Sequence, residues 1–163
     1  MLLLLATAAH AGEPGVISSP RIDSEGFSEM QVLVSAPLET VRALMVDPIQ
    51  SARLTSDVLD ISLLRQDECD HLLVTTSGLS SPIVYQARRC PIPGGWREDL
   101  EHSETMTDFA STFVLQSNAE GTLITYRVRV HLDLPVPDWM QRVGLHRSMK
   151  GTLENVVQKA AGK

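Results

Sequence analysis

Apolar and polar residues alternate along most of this chain, and the period changes abruptly at three places. In "FSEMQVLVSA" (27–36), Met30, Val32 and Val34 alternate with polar neighbours, which predicts a first strand. The next stretch, "APLETVRALMVDP", places Leu38, Val41, Leu44 and Met45 three or four apart, the spacing of one helix face. Pro37 suits the start of that helix and Asp47-Pro48 its end, with a second short helix from Pro48 to about Leu54. Period two then returns. "DVLDISLLR" predicts a second strand, and "HLLVTT" and "PIVYQAR", split by "SGLSS", a hairpin of strands three and four. "GWREDLEHSETM" follows the turn "PIPGG" as strand five. "DFASTFVLQ" and "TLITYRVRVHL" flank "SNAEG" as strands six and seven. The helical period resumes in "PDWMQRVGLHRSMKGTLENVVQKAA", where Trp139, Val143, Met149, Leu153, Val156 and Ala160 form the expected buried stripe. Gly144 and Gly151 weaken this helix by up to ~1 kcal/mol each, or let it press close to the sheet.

The chain has two cysteines, and both belong to the hairpin. Cys69 and Cys90 are equidistant from its centre between Leu79 and Ser80, so antiparallel pairing sets them opposite each other at the open end. A disulfide is the leading expectation. Unpaired structural thiols, a metal site using His71, or a reactive thiol are the alternatives, and no further ligand or partner completes either of the last two.

Compartment decides what such a pair means. The chain opens "MLLLLATAAHAGEPG", with an apolar run far short of the ~20 residues that span a bilayer. Ala9-His10-Ala11 is a small-x-small site, so residues 1–11 read as a signal peptide, although no Lys or Arg precedes the apolar run. Residues 12–25, rich in Gly, Pro and Ser, read as a linker, and 26–163 as one domain. No cysteine stands at the cleavage point to carry a lipid. The expectation is an exported protein, periplasmic or secreted, in a compartment where a disulfide forms. Net charge is −6 with no Lys/Arg cluster, a poor match to nucleic acid or to anionic membrane surfaces.

The order of strand, two short helices, six strands and long helix resembles the helix-grip fold of the SRPBCC superfamily, which includes START, polyketide-cyclase and coenzyme-Q-binding-like domains. "VLVSAPLETVRALMVDP", "TFVLQSNAEGTLITYRVRV" and "LDLPVPDWMQRVGLHRSMKGTLENV" carry the resemblance, which covers about residues 25–162. It implies an α+β fold: a curved antiparallel sheet of about seven strands wrapped around the long helix, with an elongated cavity between them. Superfamily members bind lipids, sterols, quinones or polyketides there, and a minority are enzymes. The signal peptide and the cysteine pair depart from the common pattern.

The alternation assigns walls to such a cavity. Even positions of strand seven (Ile124, Tyr126, Val128, Val130, Leu132) are apolar apart from one hydroxyl, while Arg127, Arg129 and His131 face water. Strand six contributes Phe109, Phe113 and Leu115. The expected ligand contacts are Phe113, Leu115, Tyr126, Val128, Val130, Val143, Met149 and Val156. Strand five is the polar exception. If Trp96, Leu100 and Met106 point inward, strict alternation turns Glu98, His102 and Glu104 inward with them. His102 and Glu104 would then make an acid–base pair, unless the strand bends away and leaves them in solvent. His146 is expected on the outer surface of the last helix. No catalytic motif, metal site or cofactor site is evident. Three functions follow in order: an exported carrier of a small apolar ligand (lipid, sterol-like or quinone-like), a cyclase- or hydrolase-type enzyme using strand five, and an interaction protein with a collapsed cavity. Transient membrane contact is left open, and protein partners are unknown.

Overall fold

A computed structural model describes residues 12–162; the expected signal peptide lies outside them. The elements in chain order are β1 (Arg21–Ile22), β2 (Ser28–Val34), α1 (Leu38–Met45), α2 (Pro48–Ala52), β3 (Val58–Gln66), β4 (Asp70–Thr76), β5 (Ile83–Ile92), β6 (Gly95–Ser103), β7 (Met106–Asn118), β8 (Gly121–Leu132) and α3 (Asp138–Ala160). The strands form one curved antiparallel sheet in the order β1-β2-β8-β7-β6-β5-β4-β3. The eighth strand, β1, falls in the stretch read as a linker. There the chain runs beside β2, with Gly15 N–H donating to Leu33 O (2.8 Å) and Ser18 N–H to Gln31 O (2.8 Å).

Local chemistry sets the helix boundaries. Asp47 caps α2 by accepting from the amides of Ile49 (2.8 Å) and Gln50 (3.0 Å), and Pro48 occupies the first turn. The C-terminal half of α3 lies on the concave face of the sheet. Met149, Leu153 and Val156 pack there with Val32 and Val34 of β2, Val41 and Met45 of α1, and Ile124 and Val128 of β8. This is the filled core. The expected stripe fails at its N-terminal end, where Trp139 is 61% and Val143 51% exposed. Helical periodicity from the buried C-terminal half puts Leu145, not Val143, on the inner face, and Leu145 packs against the core. His146 also departs from expectation, because its Nε2 is 2.9 Å from Ser28 Oγ and links α3 to the start of β2. The two glycines differ. A Cβ on Gly151 would lie 3.0 Å from Ser56 Oγ, so this glycine admits the loop after α2, whereas nothing stands within 4 Å of one on Gly144.

Charged side chains clamp the convex face at β8. Arg127 and Arg129 both lie over the Phe27 ring, at 4.5 and 4.6 Å from its centroid, and pair with Asp23 and Asp108 respectively. They face outward as the alternation requires, but the chain from Asp23 to Phe27 covers them. His71 lies between two carboxylates, with Nε2 3.0 Å from Asp67 and Nδ1 3.0 Å from Glu101.

Cys69 and Cys90 form a disulfide, with Cα atoms 4.4 Å apart. In the β4–β5 register Asp70 pairs with Arg89 and Thr76 with Ile83, and one further step outward sets the cysteines opposite each other. The bond closes a separation of 21 residues. Replacing both cysteines by serine should lower unfolding stability by about 3 kcal/mol, measured by denaturant titration with the native circular dichroism unchanged. A loss within error of zero would show that the hairpin needs no staple.

His146 generates a pH prediction. Burial, aided by the charge of Arg142, lowers its pKa from 6.5. The unfolded chain therefore takes up this proton first as pH falls. The contribution is complete above about pH 6.5 and is lost as pH drops towards the lowered folded value. Thermal melts of the wild type and His146→Gln should run parallel above that pH, and the wild type should lose more stability below it. Parallel curves throughout would refute the coupling.

Candidate functional site

The C-terminal half of α3 fills the core, while its N-terminal half, tied to β8 by the Gln141 side chain, which accepts from the Leu132 amide (3.1 Å) and donates to its carbonyl (3.3 Å), roofs a cavity of about 430 Å³. The walls come from the concave faces of β3 to β8, from α2 and the loop after it, and from Met140, Gly144, Leu145, Ser148 and Met149 of α3. Gly144 faces this space with no side chain to fill it. The lip opposite α3 is the β4–β5 loop, with Leu79 61% exposed.

Phe113, Tyr126, Val128, Val130 and Met149 line the cavity. Leu115 and Val156 belong to the filled core instead, and Val143 lies on the exposed face of α3. Two aromatic pairs stiffen the wall: Phe113 with Tyr126 (centroids 4.8 Å) and Tyr85 with Phe109 (5.2 Å).

Strand five of the sequence reading, β6 here, breaks its alternation. Trp96 and Glu98 do face the cavity. A bulge then intervenes, since Ala87 of β5 pairs with Leu100 but Gln86 pairs with His102, leaving Glu101 as the extra residue. His102 is therefore turned to the convex side and is exposed, and exposed Glu104 lies in the turn between β6 and β7. The two do not meet in the cavity. Strict period two fails here because one inserted residue reverses the facing of all that follow.

Glu98 instead has a partner that sequence reasoning missed. Arg89 is 3% exposed and lines the same wall, its Nε 3.8 Å from Glu98 Oε1 and its guanidinium 4.8 Å from the centre of the Trp96 ring. It also donates to the carbonyls of Met45 and Val46 (3.2 Å for the latter), the unpaired end of α1. Burial lowers the Arg89 pKa, opposed by the carboxylates of Glu98 and Asp70. Glu98 keeps 30% of its side-chain surface accessible, and that surface looks into the cavity. Removal from bulk water raises its pKa, and Arg89 works against that rise. Burial, with the charge of Glu98, holds the phenols of Tyr85 and Tyr126 above their ordinary range, so both remain O–H donors. Tyr85 was also missed. Ile83, Tyr85, Ala87 and Arg89 share one face of β5, and the same alternation used for strand seven would have found them.

The result is an apolar chamber with a polar patch of one cation, one carboxyl group and two phenols on its wall. Among the described residues no group of three or more His, Cys, Asp and Glu side chains could hold a metal ion, and no helix is long and apolar enough to cross a membrane. A second cavity of about 240 Å³, between β2, β8 and α3, is lined by Ser28, His131, Asp138 and Arg142 among others.

No protein-family model and no curated protein sequence matches the chain. Solved structures do. A START superfamily protein from Mycobacterium smegmatis superposes with a TM-score of 0.73 at 15% identity, covering 83% of this chain and 97% of that one. The Zhui aromatase/cyclase from Streptomyces sp. R1128 gives 0.65 at 14% identity, covering 83% and 93%. A STAR-related lipid transfer protein from Xanthomonas axonopodis gives 0.60 at 15%, covering 88% and 98%. Identities this low speak for fold alone, and with the sheet order, the long C-terminal helix and the cavity between them they show that this chain has the START-like helix-grip fold.

Proposed function

We propose that this protein is an exported carrier that holds one small, mostly apolar molecule in the cavity under α3. The chamber itself carries the reading: about 430 Å³ of space with largely apolar walls, kept open where a packed core would close it. Lipid transfer in the Xanthomonas neighbour supports it by analogy of fold. The disulfide supports export, since such bonds persist in oxidising compartments. An open chamber of this size also weighs against the interaction-protein reading. The ligand, whether lipid, sterol-like or quinone-like, has a polar end. Arg89, Glu98, Tyr85 and Tyr126 are the groups that would receive a hydroxyl or carbonyl, while Phe113, Val128, Val130 and Met149 enclose the rest.

An enzyme of cyclase type is the second reading. Glu98 favours it, as a carboxyl whose pKa is raised beside two phenols is suited to proton transfer. The cyclase among the structural neighbours gives an analogy of fold only.

Native mass spectrometry after expression with export should show a mass above the denatured one by the mass of one ligand. Met149→Trp or Val128→Trp, which fill the chamber, should abolish the excess. Equal native and denatured masses after exposure to membrane extract would count against the carrier. Glu98→Gln separates the two readings. A carrier should keep its ligand with affinity weakened about tenfold, the worth of one buried hydrogen bond. An enzyme should retain binding and lose turnover of the extracted ligand.

A further inference from the structure

Aromatic residues make up only 4% of the chain, yet five of its seven rings line the chamber: Tyr85, Trp96, Phe109, Phe113 and Tyr126. The face of an aromatic ring is electron-rich, so a wall of rings attracts a cation that has shed its water. Arg89 already uses this property by lying over Trp96.

The charges around the chamber do not balance. Arg89 is the one buried cation on its wall among the described residues, and its guanidinium is already engaged by Glu98, by Asp70 (3.7 Å) and by the carbonyls at the end of α1. Arg147 lines the rim but is exposed, where water and salt screen it. Asp57, on the loop after α2, also lines the chamber. Its backbone carbonyl accepts from Ser77 N–H (2.8 Å) and Thr76 Oγ1 (2.9 Å), but its carboxylate has no partner among the described residues. One buried cation thus answers three carboxylates: Glu98, Asp70 and Asp57. Burial first, and then the charges of Glu98 and Asp57, raise the Tyr126 phenol above its ordinary range. The two carboxylates therefore act on one point of the wall from different elements, Glu98 from β6 and Asp57 from the loop before β3.

We propose that the carried molecule has a cationic nitrogen, a protonated amine or a quaternary ammonium, which stands between Asp57 and Glu98 at the Tyr126 hydroxyl with the rings around it. This names the ligand class of the chamber and rests on the carrier reading. A carboxylate enclosed with a ligand and left unpaired is costly, and an ammonium supplies the counter-charge that Asp57 lacks. A carboxylate or phosphate at the same place would meet two like charges. A neutral alcohol would find hydrogen-bond partners there but would leave Asp57 unanswered. The hydrocarbon part of the molecule lies against the apolar remainder of the walls.

The experiment is displacement of the uncharged fluorescent reporter N-phenylnaphthylamine from the whole protein at neutral pH, by dodecylamine, dodecanol and dodecanoate in turn. Dodecylamine should act at a concentration about tenfold below dodecanol, and dodecanoate should be the weakest. Asp57→Asn should erase most of that preference and leave dodecanol unchanged. The variant keeps the backbone carbonyl that Ser77 and Thr76 use, so the fold should be undisturbed, which circular dichroism checks. Asp60→Asn makes the same charge change on an exposed residue of β3 and should alter nothing. Equal displacement by the three probes would overturn the cationic ligand and leave the carrier standing. An amine preference that survives Asp57→Asn, or falls equally with Asp60→Asn, would also overturn it, because the preference would then come from the net charge of −6 and not from the chamber. A reporter that does not bind, together with equal native and denatured masses, would sink the carrier and this ligand class at once.

Discussion

A guanidinium with almost no solvent contact has to find acceptors inside the protein, and Arg89 finds them at the one helix end that lacks donors. Asp47-Pro48 stops α1 after Met45, leaving carbonyls that no later amide can reach. Arg89 meets them, and the C-terminal end of a helix is also where the macrodipole favours a cation. The neighbouring Cys90 is bonded to Cys69, so the strand that presents the guanidinium is held in register by a covalent link one residue away. Glu98 and Trp96 occupy the other sides of the same group. The helix break, the hairpin and the polar wall of the cavity therefore share one side chain, and removing it would leave Glu98 as an uncompensated charge in an apolar chamber.

The long helix has two physical roles. Its C-terminal half closes the core against β2, β8 and α1, with Leu153 and Val156 fully enclosed. Its N-terminal half spans a gap. Stability is concentrated at one end of the sheet and space at the other, and apolar surface left facing a cavity forfeits the contacts that packing would have supplied. Gly144 and Gly151 mark the two regimes. One preserves open space, and the other permits close approach to Ser56.

Much of this was legible in the chain. The strand order, the cysteine pairing and the inner face of β8 follow from period two and from symmetry about one turn, because pairing in a hairpin is a local property. The helix stripe was read one side too far towards its N-terminus, since Trp139 and Val143 are spaced like core residues and only tertiary placement shows that no sheet lies beneath them. His102 and Glu104 illustrate a different limit. The bulge at Glu101 has no Gly or Pro to announce it, so alternation carried past it pointed both side chains the wrong way. Arg89 was invisible for the opposite reason, as a charge on the inward set of a strand is ordinarily taken for the outward set, and its acceptors come from a helix end more than forty residues earlier.

The sheet order also has a consequence for how the chain assembles. From β4 to β8 every strand pairs with its predecessor in sequence, so each hairpin can form as soon as its second strand exists. β2 is different: its partner β8 is nearly a hundred residues downstream, with Ser28 opposite Val128. Closing so long a loop is slow, and it must wait for almost the entire chain. During synthesis, the disulfide-stapled half of the sheet can exist while Met30, Val32 and Val34 remain without their neighbours. The interior of the fold is thus completed last, by the meeting of one of its earliest strands with its final one.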